Sequence, residues 1–175
     1  VRGPLTRAKI KSFGVDCPKV YGDPALLTPC FYNNVTEKKY EYGIVTRWSD
    51  EHLKTMQVDK TIDMIDLKTS DIEGTLNRIL QCKKVLTPSL HGLIIADAYG
   101  IPNAWITSPT PKGGEFKFYD YFLSVDKIRH AQHLPEPDSG FITEHSLRAS
   151  VSFDDRDIQF DPWELLDHCP FLKRK

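Results

Sequence analysis

The chain has 175 residues, 40% of them hydrophobic and 27% charged, with a formal net charge of -1. That balance matches a soluble domain able to bury one core and excludes a disordered or fibrous chain. No long basic block precedes the terminal LKRK, which argues against a dedicated nucleic-acid surface, and no apolar run approaches the roughly 20 residues needed to span a bilayer.

The amino end, VRGPLTRAKIKS, has neither a methionine nor an apolar leader and reads as a start inside a longer polypeptide. Pro4 suits a first helical turn, Leu5, Ala8 and Phe13 are placed on its inner face, and Gly14 ends it. The following PKVYGDPALLTP has the Pro and Gly-Asp chemistry of a crossing between layers, with Asp23 as a turn residue or a contact between those layers. Residues 1–30 are therefore expected to end in that crossing, and residues 31–175 to form one further domain.

From there a regular pattern begins. Residues 42–47 (YGIVTR) read as a buried strand, and Ser49 caps an expected helix over residues 50–57. Residues 61–67 (TIDMIDL) form a second strand. A Ser70/Glu73 capping box then opens a helix to about Gln81, with Ile72, Leu76, Ile79 and Leu80 inward. A third strand covers residues 84–87, a helix residues 89–99 up to Gly100 and Pro102, and a fourth strand residues 103–107. Beyond a loop, SPTPKGGE, in which residues 111–115 have the composition of a lid, FKFYDYFLSV reads as a helix whose aromatics pack on the sheet. Residues 130–161 show no clear period, and a last amphipathic helix opens at residue 163 and breaks near Pro170.

Strand and helix alternate four times, the signature of an α/β fold: a Rossmann-like parallel sheet with helices on both faces. Ligands of such sheets sit beyond the carboxyl ends of the strands. The helix that follows the third strand starts with SLHG and so aims its unpaired amides and partial positive charge at that edge. Ser89 as N-cap, His91 on the first turn and a Gly92 without side chain would let a phosphate or carboxylate approach the backbone. The plainer alternative is that Ser89 only caps, His91 is a partly exposed polar residue and Gly92 permits close helix-to-strand packing.

Cys17, Cys30, Cys82 and Cys169 show no zinc-ligand spacing and read as the reduced thiols of a cytoplasmic protein. His130 and His133 with Glu136 lack a further ligand, and the Asp154, Asp155 and Asp157 cluster lacks the glycine and glutamate of a calcium loop. No metal site is expected.

The segment TPSLHGLIIADAYGIP, together with VRGPLT, VYGDPALL and FKFYDYFLSV, resembles the polysaccharide pyruvyl transferase family in order and spacing from residue 1 to about Val125. The resemblance implies a GT-B-like architecture of two Rossmann-type layers, of which this chain covers the second and, in residues 1–30, only the tail of the first with the crossing between them. It also implies transfer of the enolpyruvyl unit of phosphoenolpyruvate onto two hydroxyls of a sugar, leaving a cyclic pyruvate ketal and free phosphate. The implied partners are phosphoenolpyruvate and a glycan or lipid-linked sugar, with membrane association only through such an acceptor. The implied cofactor is none.

Carried over by position, His91 is the catalytic candidate, a general acid toward the donor methylene carbon or a phosphate ligand, and Arg2 a bidentate partner of carboxylate or phosphate. Ser89 stands where some relatives have an arginine, so Arg47 or Lys117 is expected to supply that charge. The expected substrate-binding set is Arg2, Arg47, Ser89, Leu90, Gly92 and Lys117. Two competing expectations are a GT-B-type glycosyltransferase with a nucleotide-sugar donor, using Asp66 or Glu73 on the ribose, and an inactive binding fragment.

Overall fold

The structure, a computed structural model, describes residues 1–108, 114–169 and 171. Helix α1 spans Pro4–Ser12 and is followed by a 3-10 turn, Pro24–Leu27, and the one-turn α2, Thr28–Phe31. The sheet begins with β1, Tyr40–Thr46. Next come α3 (Glu51–Lys54), the two-residue β2 (Gln57–Val58) and β3 (Ile62–Asp66). Helix α4 (Ile72–Leu80), β4 (Cys82–Thr87), α5 (Leu90–Ala98) and β5 (Asn103–Trp105) complete the alternation. The chain continues through α6 (Phe116–Ser124), β6 (Phe141–Ile142), α7 (Glu144–Ser150) and α8 (Pro162–Asp167).

The main sheet is parallel throughout, in the order β3-β1-β4-β5. From β1 the chain first moves outward to β3, then returns to the other side of β1 for β4 and β5. The direction of winding therefore reverses between β1 and β4, and the crevice outside the carboxyl ends of those two strands is where an open α/β sheet takes its ligand.

Both faces are covered, which is why the strands read as nearly unbroken apolar runs. On one face Tyr42, Ile44, Ile62 and Leu86 pack with Leu53, Ile142 and Leu147. On the other Val45, Ile65 and Val85 pack with Ile79, Leu80 and Ala96. A third cluster joins α5 and α6: Leu90, Leu93 and Ile94 meet Phe118, Tyr121 and Phe122, with Leu26 of the 3-10 turn beside them. Trp105 stacks on Phe118 with ring centroids 4.4 Å apart and meets Phe122 edge-on. Such pairs contribute about 0.5–1.5 kcal/mol beyond their buried area.

Several expectations are corrected. The helix expected over residues 50–57 stops at Lys54, because the chain must extend at Gln57–Val58 to pair in parallel with β6. Helix α4 is capped by Asp71, whose carboxylate accepts the Gly74 amide at 2.9 Å, and not by a Ser70/Glu73 box. Its Leu76, Ile79 and Leu80 are buried, whereas Ile72 is exposed because it sits in the first turn beyond the reach of the sheet.

Helix α1 buries no residue, and Phe13, expected inward, lies in solvent as its C-cap. On α6, Phe118, Tyr121 and Phe122 face the core as expected, but Phe116 and Tyr119 face outward, since one helix face cannot hold all five rings. Residues 130–161 hold β6 and α7, the latter opened by a capping box between Thr143 and Ser146. Helix α8 is short and buries nothing, and Pro170, with the lid residues 111–113, lies outside the described residues. Among the described residues no helix is long and apolar enough to cross a membrane.

Candidate active site

Strand β4 ends in Thr87, whose hydroxyl donates to the Val45 carbonyl of β1 at 2.6 Å and accepts the Ser89 amide at 2.9 Å. The turn into α5 is thereby locked to the sheet. Ser89, extended and buried, is the N-cap of α5 and accepts the Gly92 amide at 3.5 Å. Leu93 donates to the Ser89 carbonyl. The first-turn amides left over are those of Leu90 and His91, for which the described residues provide no acceptor. They carry the positive end of the helix dipole at the β1/β4 crevice, and the His91 side chain beside them is exposed.

This arrangement resolves the two roles open for Gly92. A Cβ there would lie 2.6 Å from Thr87 Oγ1, so the glycine exists to let α5 pack on β4. Gly92 is buried with its amide occupied, and the Leu90 side chain sits in the core. Of the SLHG segment, the Leu90 and His91 amides are the ones with no acceptor among the described residues, and the His91 side chain is exposed.

Of the three cations expected from the sequence, Arg47 lies at this edge, and its field, like that of Arg2, reaches Lys117. Arg47 follows β1 directly. Its guanidinium grips Asp50 through Nε (2.9 Å) and Nη2 (2.7 Å) and also contacts Ser108 just after β5, while Ser108 Oγ donates to Asp50 at 2.9 Å. Burial alone would raise the Asp50 pKa, but the bonds from Arg47 and Ser108 hold it below the usual carboxylate range. Arg2 donates from Nε to Asp23 Oδ2 at 3.0 Å, so Asp23 serves both as cap of the 3-10 turn and as an ion-pair partner. Lys117, in the first turn of α6, has its pKa lowered by burial and then by the fields of Arg47 and Arg2.

Asp50 and Ser108 went unnoticed in the sequence. The signal for Asp50 was available: an Arg-x-x-Asp turn directly after a buried strand, where the carboxylate also accepts the Arg47 amide at 3.0 Å. Ser108 carried no signal, since its partners are distant in sequence and meet only because β1 and β5 flank β4.

A larger cavity of about 380 Å³ lies elsewhere, along the open side of β5 between residues 128–132 and 152–156. Its arginines, Arg129 and Arg156, are both bound to Asp154. A cavity of about 50 Å³ lined by Pro88, Thr107, Ser108 and Glu115 sits at the strand ends. The candidate at the strand ends follows from the sheet topology and the α5 terminus and not from cavity size. Among the described residues no group of three or more His, Cys, Asp or Glu is placed to hold a metal ion. His133 instead contacts the Thr107 hydroxyl at 3.1 Å.

The model of the family described as polysaccharide pyruvyl transferase matches residues 1–109, a span that includes Arg2, Arg47 and the whole SLHG turn. An uncharacterized protein of Acanthamoeba polyphaga mimivirus is 39% identical to the chain, over 76% of this chain and 49% of that protein. The chain thus spans about half the length of that curated relative. No solved structure matches it. On the extent of the family match, the chain belongs to the polysaccharide pyruvyl transferase family.

Proposed function

We propose that the chain binds phosphoenolpyruvate at the β1/β4 crevice and takes part in its transfer, as a pyruvate ketal, to a sugar of a cell-surface polysaccharide or its precursor. The observation that carries this reading is the α5 terminus at the β1/β4 crevice, whose Leu90 and His91 amides find no acceptor among the described residues, with Arg47 directly after β1 and its field reaching Lys117. Phosphoenolpyruvate carries a phosphate and a carboxylate, and it needs several separate cationic or N–H contacts. Both arginines, Arg2 and Arg47, already hold carboxylates, which fixes their forks in place before any ligand arrives.

In the proposed reaction His91 gives a proton to the methylene carbon of the donor. The double-bond electrons form the new C–H bond, and the adjacent carbon, now electron-poor, is attacked by a sugar hydroxyl, which loses its proton. Phosphate then leaves with the C–O bonding electrons as a second hydroxyl closes the ketal. The cations and helix amides hold the phosphate throughout, and a histidine is suited to proton transfer near neutral pH. Within a two-layer GT-B-like protein this chain is proposed as the donor-binding layer, acting in the cytoplasm with no cofactor beyond the donor. Of the carboxylates that a nucleotide-sugar reading requires, Asp66 is held by Lys54 at 3.0 Å and Glu73 lies in solvent on α4, so the pyruvyl reading is preferred.

The test is phosphate release from phosphoenolpyruvate in the presence of sugar diols. Release by the native protein above that of a His91→Ala variant is expected. Equal release by the two rejects the assignment.

A further inference from the structure

Helix α1 starts at Pro4 after Gly3, a cap residue with no side chain to satisfy the first amides. The missing cap comes from α6. Asp120 Oδ1 accepts the Leu5 and Thr6 amides at 2.8 and 3.0 Å, and Oδ2 accepts the Thr6 hydroxyl at 2.6 Å. Asp120 is only 1% exposed, and its backbone carbonyl lies so close to Gly3 that a Cβ there would fall 1.9 Å from it. No larger residue fits at position 3 unless the two segments separate.

Two features connect this clamp to the ligand edge. Asp120 lies three residues beyond Lys117 on α6, a spacing that puts both on one helix face. Arg2 immediately precedes Gly3, and its field reaches Lys117. Asp23 holds the tip of Arg2, while Asp120 holds the backbone from which Arg2 springs.

We propose that Asp120 is a positioning residue for anion binding, a buried carboxylate that caps α1 across more than one hundred residues of sequence and thereby sets Arg2 beside Lys117. It touches no substrate. Its action passes through the first turn of α1, and the inference rests on the donor-site reading above. A carboxylate suits this role because two oxygens can accept three N–H and O–H donors at once, and because negative charge is favourable at a helix amino end.

The experiment is a double-mutant cycle on the full 175-residue chain, read as affinity for phosphoenolpyruvate and for inorganic phosphate by calorimetry. Arg2→Ala and Asp120→Asn are each expected to weaken binding about tenfold, the scale of one charge-assisted hydrogen bond. The double variant is expected to bind no more weakly than Arg2→Ala alone, because Asp120 acts through Arg2. Lys117→Ala should add its own loss to either. Circular dichroism accompanies each variant, and Thr6→Val, which removes only the hydroxyl contact, provides a milder probe with a smaller loss in the same direction if Asp120→Asn fails to fold.

Native affinity in Asp120→Asn, or an undiminished further loss when it is combined with Arg2→Ala, overturns the positioning role and leaves the donor site standing. So does native affinity in Arg2→Ala. Absence of binding by the native chain overturns the donor-site reading and this inference with it.

Discussion

His91 is exposed on the first turn of α5 while both residues flanking it are buried, so its side chain can be changed without disturbing the packing of the helix that carries it. Replacing it with alanine is expected to lower turnover by roughly 10²–10⁴, the usual contribution of a general acid, with donor affinity changed less than about tenfold. Steady-state kinetics and calorimetry together check this. A parallel loss in affinity and turnover makes His91 a phosphate ligand instead.

Lys117 yields a pH prediction. Only its protonated form attracts an anion, and burial together with Arg47 and Arg2 pulls its pKa below the ordinary lysine range. Affinity should therefore be full at low alkaline pH and fall as pH rises through that lowered value. Phosphate binding measured above about pH 8, well past the second ionisation of a phosphoryl group, isolates the effect. Lys117→Arg should flatten the profile because a guanidinium stays charged. An unchanged slope in that variant removes Lys117 from the anion site.

Among the elements, the β4–α5 turn is the most constrained. Gly92→Ala would improve intrinsic helix propensity by about 1 kcal/mol, and an open helix terminus would gain from it. Here the new Cβ meets Thr87 Oγ1, and that hydroxyl is tied to Val45 and Ser89, so it cannot swing aside. Overpacking of this kind costs about 1–3 kcal/mol, and a net destabilisation of about 1–2 kcal/mol is expected in chemical denaturation. A variant as stable as the native chain means that α5 can slide on β4.

The same turn shows what was legible in the sequence and what was not. Ser89 as N-cap followed from its residue type and its place before an apolar run. The purpose of Gly92 did not, since a glycine that admits a ligand and one that admits a neighbouring strand look identical until the Thr87 side chain is in place. The α4 cap moved from Ser70 to Asp71 for a related reason: both residue types cap well, and the choice depends on where the chain enters from β3.

At the scale of the whole molecule, residues 125–161 are held to the sheet by a buried charge network that no local pattern announces. Asp97 of α5 is almost fully enclosed. It accepts from Tyr121 Oη at 2.7 Å, Lys127 Nζ at 3.1 Å, Asn103 Nδ2 at 2.8 Å and both terminal nitrogens of Arg129. Arg129 also grips Asp154, which bridges to Asn103 at the edge of β5. Asp97→Asn would leave Lys127 and Arg129 buried without their principal counter-charge, at a cost of about 3–5 kcal/mol in denaturant unfolding. A loss below about 1 kcal/mol means that Asp154 alone sustains the network.

The network also sets the acid response. Burial alone would raise the Asp97 and Asp154 pKa values, but Arg129, and for Asp154 also Arg156, hold both below the ordinary carboxylate range. A depressed folded-state pKa means that the unfolded chain binds protons first. The stabilisation is therefore complete above the unfolded carboxylate pKa of about 4 and is lost as pH falls below it toward the folded values. Thermal unfolding followed from pH 6 to pH 2 should show this decline, and Asp97→Asn should shallow it.

The sequence by itself determined the alternation of strand and helix, the parallel sheet, the membership of the family and the residue types gathered at the strand ends, because these depend on periodicity, capping chemistry and motif order along the chain. Tertiary structure alone decided the strand order β3-β1-β4-β5, which makes the β1/β4 crevice the place of reversal, and it alone paired Arg47 with Ser108, Arg2 with Asp23, and α1 with Asp120. The physical reason is range: hydrogen bonds and ion pairs act over a few ångströms in space, and neighbours 21, 61 or 115 residues apart leave no trace in local sequence until the fold has brought them together.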